Sequence, residues 1–62
     1  MNDIRYYMGK IECEIMTKGK RKALVSWNES GVIGNKSEGY KNVASGIEDI
    51  VPIRLLWRKK ND

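Results

Sequence analysis

From Lys10 onward the chain alternates. Ile11, Cys13 and Ile15 fall on one side of an extended backbone while Lys10, Glu12, Glu14 and Met16 fall on the other, which is the period of a half-buried strand. A helix would scatter the same apolar positions around its axis. Thr17 to Arg21 predicts a turn containing Gly19, and Lys22 to Trp27 predicts a second strand with Ala23, Val25 and Trp27 on its inner face. Two alternating runs joined by a short glycine-containing segment are the signal of a β-hairpin.

Asn28-Glu29-Ser30-Gly31 marks the next turn, after which Val32 and Ile33 supply a short strand. From Gly34 to Gly46 the chain turns to glycine, serine, asparagine and lysine around one aromatic, Tyr40. That composition predicts a long excursion; the alternative is a strand from Tyr40 to Val43 pairing back on Val32 and Ile33. The apolar run from Ile50 to Trp57 is bounded by Glu48-Asp49 before it and Arg58-Lys59-Lys60 after it. Pro52 cannot donate a ladder hydrogen bond, so it belongs at an edge, a bulge or a junction. A short strand, one helical turn and a last short strand follow from that. The expected core is Ile11, Ile15, Val25, Trp27, Val51 and Leu55.

Size and charge narrow the function classes. A chain of 62 residues is read as a single domain over 1–62, and one this small buries only about 60% of the surface its unfolded chain exposes. Its 40% hydrophobic content is too high for a disordered tail. Cys13 is the sole cysteine and histidine is absent, so neither a disulfide framework nor the usual zinc ligand sets can be assembled, and no cofactor is expected. No cationic leader and no run near the ~20 apolar residues of a membrane span are present, which predicts a soluble, cytoplasmic protein with no membrane partner. The net charge of +4 and pI near 9.4 favour a polyanion or an acidic protein surface as partner.

The order of elements resembles the SH3-like small β-barrels of the Tudor, KOW and retroviral integrase C-terminal type. In that group a strand ending in a Val-x-Trp step, here Val25-Ser26-Trp27, is followed by a further strand. A closing Val-Pro segment, here Val51-Pro52-Ile53-Arg54-Leu55, then completes the barrel. The resemblance implies an all-β, small SH3-like barrel of about five short strands with one short helical turn near the C-terminal end.

The candidate contact residues are cations and aromatics. Lys18, Lys20, Arg21 and Lys22 crowd the hairpin tip, and Arg58, Lys59 and Lys60 form a second basic run beside Trp57. Tyr40 and Lys41 stand in the polar excursion. The cations suit phosphates, and Tyr40 or Trp57 suits stacking on a base; the plainer alternative for the basic runs is a solvated surface, and for Trp57 it is barrel closure. Trp27 ends an inner face and is assigned to the core, as is one of Tyr6 and Tyr7. Gly31-Val32-Ile33-Gly34 lacks the flanking helices of a nucleotide-clamping GXXG loop. The glycines of Gly34-Asn35-Lys36-Ser37-Glu38-Gly39 are followed by Tyr40 where a phosphate loop needs lysine.

No nucleophile, base and orienting group stand in a catalytic pattern, so the chain is not expected to be an enzyme. The leading expectation is a small basic protein that binds DNA or RNA chiefly through the phosphate backbone, of a size common in phages and mobile elements. The rival is an interaction module that modulates a host protein, docking on an acidic surface through a barrel edge or the 34–46 segment. Convergence of the two basic runs on one face favours nucleic acid.

Overall fold

The alternating runs form hydrogen-bonded ladders in the computed structural model, which describes residues 3–37 and 39–61, Asn35 by its backbone alone. Seven strands lie among the described residues: β1 (Asp3–Tyr7), β2 (Ile11–Lys18), β3 (Lys22–Trp27), β4 (Gly31–Asn35), β5 (Gly39–Val43), β6 (Glu48–Pro52) and β7 (Leu56–Trp57). A 3₁₀ turn, Ile53–Leu55, joins the last two. Five of the strands make one antiparallel sheet in the order β6-β3-β2-β1-β7, and β4 pairs with β5 as a separate hairpin. The protein is all-β with one short helical turn near its C-terminal end.

Connectivity forces the sheet to curl. β6 and β7 occupy its opposite edges, yet only Ile53–Leu55 separate them. Laid flat, four strand spacings of about 4.8 Å put the edges ~19 Å apart. Four residue steps of fully extended chain reach at most about 14 Å, and a 3₁₀ turn reaches less. The edges must therefore approach each other. A bulge helps the bend: the β2–β3 register shifts between Ile15 and Thr17, leaving Met16 outside the ladder. The turn is held at both ends, since the Ile53 N–H donates to the Arg21 carbonyl at 2.9 Å and the Met8 N–H donates to the Leu55 carbonyl at 2.7 Å.

The inner face carries the core. Ile11, Cys13, Ala23, Val25, Trp27, Val51 and Leu56 are buried there, and Ile33 and Val43 of the β4–β5 hairpin join them. Trp27 meets Tyr7 edge-on, with ring centroids 5.6 Å apart and planes at 81°, a favourable aromatic geometry. Tyr7 is thus the tyrosine turned toward the core. Cys13 is fully buried, and that burial, with the charge of Glu12 adding to it, pushes its thiol pKa up to about 11. Arg5 stands opposite Cys13 in the β1–β2 ladder and is itself buried; its Nε donates to Asp3 Oδ1 at 2.8 Å, which supplies the counter-charge.

Four expectations are corrected. Thr17 and Lys18 belong to β2, so the turn is shorter than the Thr17 to Arg21 segment. Gly34 to Gly46 is mostly hairpin: Val32 pairs with Asn42 and Ile33 with Lys41, as in the alternative pairing. The side chain that closes the core near the end is Leu56, whereas Leu55 is half-buried. A 3₁₀ turn repeats every three residues, so Ile53, which packs against the core, shares its side with Leu56. Ile15 likewise packs at the core's margin rather than within it.

Candidate functional site

The outer face of the β3–β6 ladder changes character row by row. Ser26 pairs with Glu48, Leu24 with Ile50, and Lys22 with Pro52. Glu14 lies opposite Ser26 on β2, and Glu12 follows on the same face, so the face runs from acidic through apolar to basic. Glu12 and Glu29 are tied into the acidic end, where the Asn28 amide donates to Glu12 Oε2 at 3.0 Å and the Glu12 N–H donates to Glu29 Oε2 at 3.0 Å.

At the basic end the surface hollows into a groove of about 420 Å³ lined by Arg21, Lys22, Pro52 and Arg54. Three cations surround one proline there, and no carboxylate lines the groove. The 3₁₀ turn delivers Arg54, and the Ile53–Arg21 hydrogen bond fixes that turn against the end of the β2–β3 hairpin. Sequence reasoning missed Arg54. Its signal was available, since it is the one charged residue within the apolar run from Ile50 to Trp57. What could not be seen was that this residue meets Arg21 and Lys22 across the fold.

Arg54 also borders a second cleft, of about 410 Å³, whose other lining residues are Tyr7, Met8, Ile33, Gly34, Gly39, Lys41 and Leu55. Lys41 shares a face of the hairpin with Ile33, and its Nζ forms an ion pair with the Asp49 carboxylate of β6. That pair ties the hairpin to the sheet and partly neutralises Lys41.

The remaining predicted residues are distributed as follows. Lys18 ends β2 and Lys20 sits in the turn; both are exposed and flank the groove residues in sequence. Arg58, Lys59 and Lys60 are exposed after β7 and line neither hollow, and the Asn61 N–H that follows them donates to the Gly9 carbonyl at 2.7 Å. Asp3 feels the charge of one residue from each basic run. Its carboxyl is held below the usual range first by the Arg5 hydrogen bond and further by the charges of Arg5, Lys18 and Arg58. Lys18 and Arg58 are therefore both near one carboxylate, while Lys59 and Lys60 are not brought to the groove. Trp57 is 42% exposed and lies against Gly9, where a Cβ would stand 2.6 Å from its Cε3. Tyr40 is 65% exposed on the outward face of β5, opposite Gly34.

No protein-family model, curated protein or solved structure matches the chain. Among the described residues no helix is long and apolar enough to cross a membrane. An open groove lined by three exposed cations and no carboxylate suits an anion.

Proposed function

We propose that the chain is an SH3-like small barrel that binds nucleic acid through the phosphate backbone. The contacts run along Arg21, Lys22 and Arg54, with Lys18 and Lys20 extending the track. The observation that carries this reading is the separation of charge on the outer face. Glu12, Glu14 and Glu48 occupy one end, and the groove at the other end is lined by three cations and no acid. Backbone contacts of this kind position a strand without reading its sequence.

The test is salt dependence. The logarithm of the binding constant falls with the logarithm of salt concentration by about 0.9 per phosphate neutralised on duplex DNA and about 0.7 on a single strand. Arg21→Ser, Lys22→Ser and Arg54→Ser combined should flatten that slope by roughly two to three and leave the fold intact. Lys59→Ser with Lys60→Ser should change it far less. Binding indifferent to salt, or untouched by the triple variant, overturns the proposal.

A protein partner is the second reading, carried by Val32 and Tyr40. They share the outward face of the β4–β5 hairpin and are 55% and 65% exposed. The β6 edge serves docking less well. Pro52 lacks a donor, and the Ile50 N–H is already accepted by Asp49 Oδ1 at 2.8 Å. In this reading a partner co-purifies despite nuclease treatment and is lost with Val32→Ser and Tyr40→Ser.

A further inference from the structure

The cleft beside Arg54 has a different chemistry from the groove. Tyr7, Met8, Ile33 and Leu55 give it apolar and aromatic walls, and Arg54 and Lys41 stand as its cations. Its volume of about 410 Å³ lies within the range of about 300–1,000 Å³ typical of small-molecule sites. Gly34 and Gly39 line it with positive φ of 114° and 89° and present backbone with no side chain in the way.

The turn between β1 and β2 adds an independent observation. The Lys10 N–H donates to the Tyr7 carbonyl at 3.0 Å, and the two central residues, Met8 and Gly9, have φ of 53° and 73°. Both values lie in the left-handed region, which glycine, asparagine and aspartate adopt more readily than a long apolar residue. Met8 is the only non-glycine with positive φ among the described residues. A long apolar side chain in that conformation is a poor choice for the turn, and it lines the cleft. Strained backbone of this kind collects at binding sites.

We infer that this cleft holds one unstacked base of a single strand whose phosphates lie in the neighbouring groove, with Arg54 on the phosphate between them. The inference rests on the backbone-binding reading and deepens it from any nucleic acid to a single-stranded one. A duplex keeps its bases paired and stacked inside the helix, whereas an unstacked base of a single strand is free to lie against the tyrosine, methionine and aliphatic side chains that line the cleft.

The experiment compares the full chain's affinity for three labelled probes of equal length: a thymine single strand, the same strand with every base removed, and a duplex. Roughly tenfold tighter binding of the thymine strand than of the abasic strand is expected, in keeping with one base held against protein. Met8→Asn should erase that preference while raising the urea midpoint, because asparagine suits the turn that methionine strains. The Met8 methyl resonance should also shift on addition of the thymine strand and stay in place with the abasic one.

Equal binding of thymine and abasic strands, or a preference that survives Met8→Asn and disappears with Tyr40→Ala or Trp57→Ala, overturns this inference and leaves backbone binding standing. Failure of all three probes to bind removes the backbone reading, and this one with it.

Discussion

Gly34 and Gly39 are near neighbours across the β4–β5 hairpin, yet a methyl group added at each meets different surroundings. At Gly34, where φ is +114°, it runs into the Gly39 carbonyl oxygen and comes within 3.1 Å of Tyr40 Cα. Both obstacles are backbone and cannot rotate away. At Gly39, where φ is +89°, it meets nothing within 4 Å. Conformational strain for a side chain in such regions costs about 1–3 kcal/mol, so both substitutions carry it and only Gly34→Ala also forces the strands apart. The hairpin's release sets the ceiling: losing burial of Ile33 and Val43 forfeits about 1.5–3 kcal/mol each.

Gly34→Ala should therefore cost about 3–5 kcal/mol and Gly39→Ala only the strain of about 1–3 kcal/mol. A domain of 62 residues has only about 3–9 kcal/mol in total at ~0.05–0.15 kcal/mol per residue, so the first change removes much of its stability. Urea unfolding followed by tryptophan fluorescence measures both, and amide exchange across β5 shows whether the hairpin has peeled away. Equal losses from the two alanines would show that the close approach at Gly34 does not govern the hairpin.

The buried thiol gives a pH dependence. Cys13 has a pKa of about 11 in the fold against 9.0 when free, so above pH 9 the unfolded chain releases a proton that the folded chain keeps. Stability should fall between about pH 9 and 11, and Cys13→Ala, although less stable throughout, should lose that component; parallel alkaline slopes refute it. On the acid side the Asp3 carboxyl is lowered by the Arg5 hydrogen bond. Its contribution is present above the unfolded carboxyl value and is lost as pH falls through the folded one, so Asp3→Asn should flatten the stability profile below pH ~4. An unchanged profile would mean the pair contributes nothing. Val25→Asp places an unpaired charge at a fully buried site and should unfold the domain, as circular dichroism would show; a folded variant would reverse the assignment of the β3 faces.

What the sequence discloses depends on whether a residue's neighbours are local. Ile11, Cys13, Val25 and Trp27 announce their strands because alternation is a property of one strand and its hairpin partner. Pro52 announces the junction because its chemistry permits little else. The β4–β5 hairpin hides behind glycines that a propensity reading assigns to loops, while its own core contribution is confined to Ile33 and Val43. Leu55 and Leu56 are equally apolar, and only the rotation of the preceding 3₁₀ turn decides which one faces inward. The site divides in the same way. Arg21 and Lys22 are visible as part of a basic run, but their companion Arg54 arrives through a backbone hydrogen bond between distant segments. Arg5 looks like a surface charge until its place opposite Cys13 is known.

The ladder between β1 and β7 joins Tyr7 to Leu56 and Tyr6 to Trp57, bringing together segments separated by most of the described chain. Pairings of such long sequence separation slow folding, because the loop entropy must be overcome before the contact forms. The β2–β3 hairpin can form within microseconds of its own appearance, whereas β1 acquires its second neighbour only when the last strand arrives. On a ribosome, Lys18 to Lys22 are thus displayed on a hairpin long before the sheet can close. Until Leu56 and Trp57 emerge, one side of β1 remains an open template for pairing with another chain, and completion of the sheet is a late event set by topology rather than by local preference.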